Sequence, residues 1–177
     1  MNPDAVAGPI LVAVGSNLPD GEGRSPFEVC RRAAAALEGV VGLQVVAVSR
    51  WHRSAPVPPS GQPDFINGVV RLAGIVAPEV LLAALRGLED AAGRWRGVAN
   101  AARVLDLDIV AMGALVRAAP DPVLPHPRAH LRAFVMAPLA EVAPDWWHPL
   151  LQCSVQDLLV RVKDQAIGVI CPPKDVI

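Results

Sequence analysis

Apolar and polar positions alternate most regularly along residues 103–110, Arg-Val-Leu-Asp-Leu-Asp-Ile-Val. Successive side chains of a strand point to opposite faces. Leu105, Leu107 and Ile109 therefore share one face, and Asp106 and Asp108 share the other. Residues 10–14 are a continuous apolar run closed by Gly15-Ser-Asn17, the pattern of a buried strand entering a turn. Ser25, Pro26 and Glu28 supply a cap, a first-turn proline and the far half of a capping box. They predict a helix from 26 to about 37, ended by Gly39. Residues 43–53 read as a strand, and 64–72 as another. In the latter, Ile66, Val70 and Leu72 face one way; Phe65, Asn67, Val69 and Arg71 face the other. Pro78 opens a helix reaching about Ala92, with Val80, Leu81, Ala84, Leu85 and Leu88 as its buried stripe. Residues 112–117 suggest a hairpin turn and return strand. A helical segment over 132–142 is expected to be interrupted at Pro138, residues 146–148 to form a covering loop, and 155–162 a last helix. The tail from Gly168 reads as an extended strand or a loose end.

With 177 residues and 53% hydrophobic content, the pattern suits a single domain, 1–177, with a real core. Aromatics are only 4%, so that core is aliphatic. A net charge of -1 argues against a general nucleic-acid binder. Cys30, Cys153 and Cys171 form neither a zinc-type nor a C-x-x-C spacing, as expected of unpaired thiols in a reducing compartment. No apolar run is long enough to span a membrane, and residues 1–8 lack signal-peptide character. A soluble cytoplasmic protein is expected.

Two carboxylates about 7 Å apart along one strand face repel. A hard, oxygen-ligated cation such as Mg²⁺ relieves that repulsion and adds phosphate oxygens; the alternative is an edge strand with a solvated acidic face. Arg94, Arg96 and Arg103 flank the acids, the natural surroundings of a metal-polyphosphate or else ordinary surface ion pairs. Phe65 and Asn67 offer a flat ring and a forked amide to a planar ligand, unless another element covers them. The proline-rich stretch 54–63 is a long loop, either a binding loop or a plain surface excursion. Glu89 lies near a helix C-terminus, where the macrodipole disfavours an anion. His126 sits in a turn, and Arg132 and Phe134 begin the next helical stretch.

Six pieces together resemble 6-hydroxymethyl-7,8-dihydropterin pyrophosphokinase, a folate-pathway family. They are Val14-Gly-Ser-Asn-Leu18, Gln62-Pro-Asp-Phe-Ile-Asn67, Gly93-Arg-Trp-Arg96, Arg103-Val-Leu-Asp-Leu-Asp-Ile109, Leu124-Pro-His-Pro127 and Arg132-Ala-Phe-Val135, spread over roughly residues 10–144. The resemblance implies an α+β, ferredoxin-like fold, a mainly antiparallel sheet with helices packed on it. It implies ATP as co-substrate, two Mg²⁺ ions, and transfer of pyrophosphate from ATP to the hydroxymethyl group of the pterin, with AMP released. By the same resemblance, Asp106 and Asp108 hold the metals, and Phe65 and Phe134 sandwich the pterin. Asn67 bonds the pterin's edge, and Ser54 and Val57 give main-chain contacts from the pterin-side loop. Glu89, Arg94, Arg96, Arg103, His126 and Arg132 contact ATP or line its path, with Arg94 and Arg103 closest to the chemistry. Partners are then the two small substrates, with neither nucleic acid nor membrane, and the next enzyme of the pathway as a further candidate.

Two departures stand out. Many members carry a mobile Arg-Trp followed by Gly-Pro-Arg between the Arg-x-Arg pair and the acidic strand. Here that loop is one residue shorter and reads Gly97-Val-Ala-Asn-Ala-Ala-Arg103. Phe65 stands where Tyr is common. The rival readings are another two-metal enzyme, a nucleotidyl transferase, and a non-catalytic pterin- or nucleotide-binding module of the same fold.

Overall fold

The computed structural model describes residues 8–40, 42–93 and 101–170. A six-stranded antiparallel sheet is built from β1 (Ile10–Ser16), β2 (Leu43–Val48), β3 (His52–Ser54), β4 (Phe65–Gly74), β5 (Asp106–Met112) and β8 (Ile167–Val169). The order is β5-β1-β4-β3-β8, with β2 also on β4. Helix α1 (Pro26–Ala36) connects β1 to β2, and α2 (Pro78–Ala91) connects β4 to β5. With β2 and β3 taken as one interrupted strand, this is the βαββαβ ferredoxin-like arrangement. The chain continues through α3 (Ala133–Val142), the short hairpin β6 (Trp147–His148) and β7 (Cys153–Ser154), and α4 (Val155–Arg161) before β8.

Strand alternation sorts the apolar residues into two cores. Val12, Val14, Val70, Leu72, Leu107 and Ile109 pack against α1 and α2. Leu11, Val69, Val110 and Ala111 pack against α3 and α4. The first helix is fixed locally as expected: Ser25 Oγ accepts from Glu28 N, and the Glu28 carboxylate accepts from Ser25 N at 2.9 Å. Leu81 and Leu85 of α2 are fully buried, each contributing about 1.5–3 kcal/mol.

Some expectations change. The strand over 43–53 breaks in two, because Ser49 enters the ladder by its side chain: Oγ accepts from Val69 N at 2.9 Å. Trp51 then covers Gly68, where a Cβ would lie 2.7 Å from the indole. Val80 points to solvent, so the inner stripe of α2 is Pro78, Leu81, Leu85 and Glu89. Beyond Met112 the return strand shrinks to one bridge, Arg117 to Leu124. Helix α3 runs through Pro138, which is buried; Pro138 supplies no N–H to the carbonyl one turn back, yet the packed helix survives the loss. Residues 147–148 are a strand, not a loop.

Candidate active site

The sheet opens a recess where β1 and β3 end and β4 and β5 begin. Its floor is set by pairing register. Gly15 of β1 stands between Asn67 of β4 and Asp106 of β5; Ala13 stands between Val69 and Asp108. Two strand spacings separate the Asn67 and Asp106 positions, about 10 Å. The two smallest residue types on β1 leave the space between them open. A Cβ on Gly15 would come within 3.4 Å of Asn67 Oδ1. The resulting cavity of about 240 Å³ is on the scale of a small ligand.

On the acidic side, Asp106 and Asp108 both line the cavity, as the alternation required. Arg103 Nη1 lies 2.5 Å from Asp106 Oδ2. Burial, and then the Asp106 charge, push the Asp108 carboxyl above its usual range; His126, Arg132 and Arg103 oppose this. A β-bulge carries the next piece. Leu11 pairs Ala111 while Val12 pairs Ile109, so Val110 is the extra residue of β5. Its carbonyl accepts from His126 N at 2.8 Å, which docks the turn holding His126 beside the acids. His126 Nδ1 accepts from Arg128 N at 3.2 Å, and Nε2 lies 3.8 Å from Asp108 Oδ2. The proton of a neutral ring therefore sits on Nε2. Burial lowers the His126 pKa, with Arg132 and Arg128 adding to it against Asp108. Arg132 lies over the Phe134 ring, 5.5 Å from its centroid. Three lining arginines, 103, 128 and 132, against two aspartates leave one net positive charge among the described lining residues.

On the aromatic side, Phe65 and Phe134 line the same cavity from β4 and the start of α3. Asn67 is buried, and its Nδ2 donates to Ser54 Oγ at 3.0 Å. Ser54 is opposite Phe65 in the β3–β4 pair. The Ser54 hydroxyl thus holds the Asn67 amide, a contact made in addition to the main-chain contacts expected of this loop. Val57 also lines the cavity.

Glu89 does not line it. The carboxylate is buried, and Oε1 accepts from Leu107 N at 2.8 Å. It closes the open edge of β5 between the two aspartates, which also explains an anion at that helix end. Arg94 and Arg96 lie outside the described residues, as does the shortened loop up to Asn100.

A family model described as 7,8-dihydro-6-hydroxymethylpterin-pyrophosphokinase matches residues 11–144. The chain belongs to this family. A pyrophosphokinase of Pseudomonas aeruginosa, 2-amino-4-hydroxy-6-hydroxymethyldihydropteridine pyrophosphokinase, is 40% identical over 136 residues, covering 77% of this chain and 81% of the relative. The Synechocystis protein of the same name is 37% identical over 140 residues, covering 79% and 71%. Among solved structures, Plasmodium falciparum HPPK-DHPS wild type with STZ-DHP superposes with a TM-score of 0.65 at 9% identity, a likeness of fold. The match covers 90% of this chain and 44% of the Plasmodium chain, so this chain spans less than half of that protein.

Every described residue lining the cavity, from Ala13 to Val135, falls inside the pyrophosphokinase match. Several of them escaped the sequence reading as site residues, among them Ala13, Gly15, Gln62 and Arg128. Arg128 follows the Pro-His-Pro piece directly and was legible as one more arginine of that turn. Ala13 and Gly15 carry no chemistry of their own; only the pairing register reveals them.

Proposed function

We propose that this chain binds ATP and 6-hydroxymethyl-7,8-dihydropterin in this cavity and transfers pyrophosphate from the first to the second, releasing AMP, as a step of folate biosynthesis. The observation that carries the reading is one cavity with two distinct halves. Asp106 and Asp108 stand on one side of Gly15, and Phe65, Asn67 and Phe134 on the other.

The donor set fits Mg²⁺. Two carboxylates share one strand face, and burial together with the Asp106 charge raises Asp108. Among the described residues no third His, Cys, Asp or Glu joins them as a metal cage. Mg²⁺ usually takes one or two carboxylates and fills its remaining positions with water and substrate phosphate. Asp106 and Asp108 would hold the metal, two ions by family resemblance. Once bound, it supplies charge neutralisation across the phosphates and a more acidic substrate hydroxyl.

The protein's own part is orientation and electrostatics, the main demands of phosphoryl-type transfer. Phe65 and Phe134 stack on the pterin faces, and Asn67, held by Ser54, reads its edge. This aims the hydroxymethyl oxygen across Gly15 toward the ATP β-phosphorus. A bond forms from that oxygen to the β-phosphorus as the bond to the α,β-bridging oxygen breaks; AMP leaves with the bridging oxygen, and the hydroxyl proton passes to water. Arg103, Arg128 and Arg132 offset charge on the polyphosphate, and Arg94 and Arg96 add to them from outside the described residues. The Nε2–H of His126 donates to a phosphate oxygen. Glu89 acts on the nucleotide side through Leu107, holding the strand between the aspartates.

The chain works as one pyrophosphokinase unit in the cytoplasm. Among the described residues no helix is long and apolar enough to cross a membrane. The solved Plasmodium chain, which names a second part alongside HPPK, supports the next pathway enzyme as partner. Purified protein with ATP, Mg²⁺ and the pterin is expected to give AMP and pterin pyrophosphate in equal amounts, only with Mg²⁺. Free pyrophosphate would point to a nucleotidyl transferase, and pterin binding without AMP to a non-catalytic module; either result overturns the proposal.

A further inference from the structure

Asn17, the residue that follows β1, is not among the lining residues of the cavity, yet its side chain makes three hydrogen bonds beside it. Asn17 is 1% exposed. Its Nδ2 donates to Gln62 Oε1 at 3.3 Å and to the Pro63 carbonyl at 3.1 Å, at the end of the proline-rich loop. Its Oδ1 accepts from Arg103 N at 2.7 Å. The Arg103 carbonyl in turn accepts from Asn17 N at 3.0 Å and Leu18 N at 3.2 Å. Arg103 then reaches Asp106 with its guanidinium. One buried amide thus joins the loop beside Phe65 to the stretch that leads into the acidic strand.

The residue type follows from the partners. A proline carbonyl only accepts, and a backbone N–H only donates. The bridging side chain must donate on one side and accept on the other, at the reach of a short amide. Aspartate keeps the acceptor but places an oxygen against the Pro63 carbonyl. Alanine keeps neither. A buried polar group left without its partner destabilises the arrangement that strands it, which shifts the loop position that is populated.

We propose that Asn17 is a positioning residue that fixes the pterin-side loop, through Gln62 and Pro63, in register with Arg103 and the metal-binding strand. This rests on the functional reading above for its substrates, but its structural half stands apart from activity.

Asn17→Asp, Asn17→Ala and Gln62→Ala separate the two arms. Asn17→Asp is expected to raise KM for the pterin about tenfold and leave KM for ATP within about threefold. Asn17→Ala raises both, and Gln62→Ala, a change at the open end of the bridge, raises the pterin KM by a few-fold. Hydrogen exchange gives the readout without turnover. Residues 55–63 should exchange faster in Asn17→Asp while 101–110 stay protected, and both segments should loosen in Asn17→Ala. A purely structural role would lower the folded fraction and leave both KM values unchanged.

Unchanged pterin KM and unchanged exchange of 55–63 in both Asn17→Asp and Gln62→Ala overturn the proposal. So does an ATP KM in Asn17→Asp that rises as far as the pterin KM. Should Asn17→Ala fail to fold, those two variants decide. A wild-type protein without turnover sinks the functional reading alone, and the exchange pattern still decides the role of Asn17.

Discussion

The two halves of the cavity are built in opposite ways. The aromatic half is satisfied within the protein: Asn67 is bonded to Ser54, β3 is paired on both sides, and Phe134 rests on the second core. The acidic half is left with competing charges. Asp108 is pushed up by burial and by Asp106, His126 is pushed down by burial and by arginines, and three arginines crowd the same recess. A recognition surface for a flat neutral ring is made from shape and fixed hydrogen bonds. A surface for a polyphosphate and its cation stores unbalanced charge that the ligand balances on arrival.

Four changes probe this contrast. The largest effect is expected from Asp106→Ala or Asp108→Ala: turnover measured as AMP should fall by about 10³-fold or more, while the melting temperature holds or rises in Asp108→Ala, which removes a carboxyl disfavoured by burial, and falls slightly in Asp106→Ala, which removes the ion pair with Arg103. Near-normal turnover in either variant would refute the metal assignment. Next, Asn67→Ala should raise KM for the pterin by roughly 10²-fold, combining a lost ligand contact with a stranded Ser54 hydroxyl. Nucleotide affinity measured by calorimetry should stay near wild type; an equal loss of both would erase the distinction between the halves. Gly15→Ala adds a Cβ 3.4 Å from Asn67 Oδ1, on the boundary between the halves. It should lower kcat/KM for both substrates, by roughly tenfold, and an effect on one substrate alone would place the boundary elsewhere.

The smallest effect concerns the support of the aromatic half. Glu141 of α3 bonds His52 of β3 at 3.0 Å and Arg50 at 3.0 Å, tying the helix that carries Phe134 to the sheet. Burial raises the Glu141 pKa, but the bonds from Arg50 and His52 prevail and hold it below its usual value of 4.5. A depressed carboxylate stabilises above its unfolded pKa and loses that contribution as pH falls through the folded value. Glu141→Gln should therefore lower the melting temperature by less than about 3 °C at pH 7, given solvent screening, and the gap to wild type should narrow as pH falls below 4.5. A gap that persists in acid would assign the effect to packing instead.

Much of this was legible in the chain. The acidic alternation, the capping box at Ser25 and the Phe65/Asn67 face depend on short-range periodicity, which a sequence carries directly. Glu89 was not, because its partner is an edge amide supplied by another element, and only tertiary packing turns a misplaced anion into a strand cap. Ala13 and Gly15 matter through what they leave empty, which no residue type announces. Ser49 ended a strand early by entering the ladder with its hydroxyl, against a β-rich pattern that ran on to Arg53. Val80 looked like core by spacing but falls just past the edge of the buried stripe. Asn17 stood in a recognised motif, yet its role depends on partners at 62–63 and at 103, far from it in the chain.

The most direct test of the account counts metal ions against the two aspartates. Mn²⁺, an oxygen-seeking stand-in for Mg²⁺, can be titrated by electron paramagnetic resonance into the protein with a non-hydrolysable ATP analogue. The wild-type complex should immobilise about two ions, and the doubly substituted Asp106→Ala, Asp108→Ala protein should hold fewer and far more weakly. Equal number and affinity in the double variant would contradict the assignment of the metal-nucleotide half to this strand.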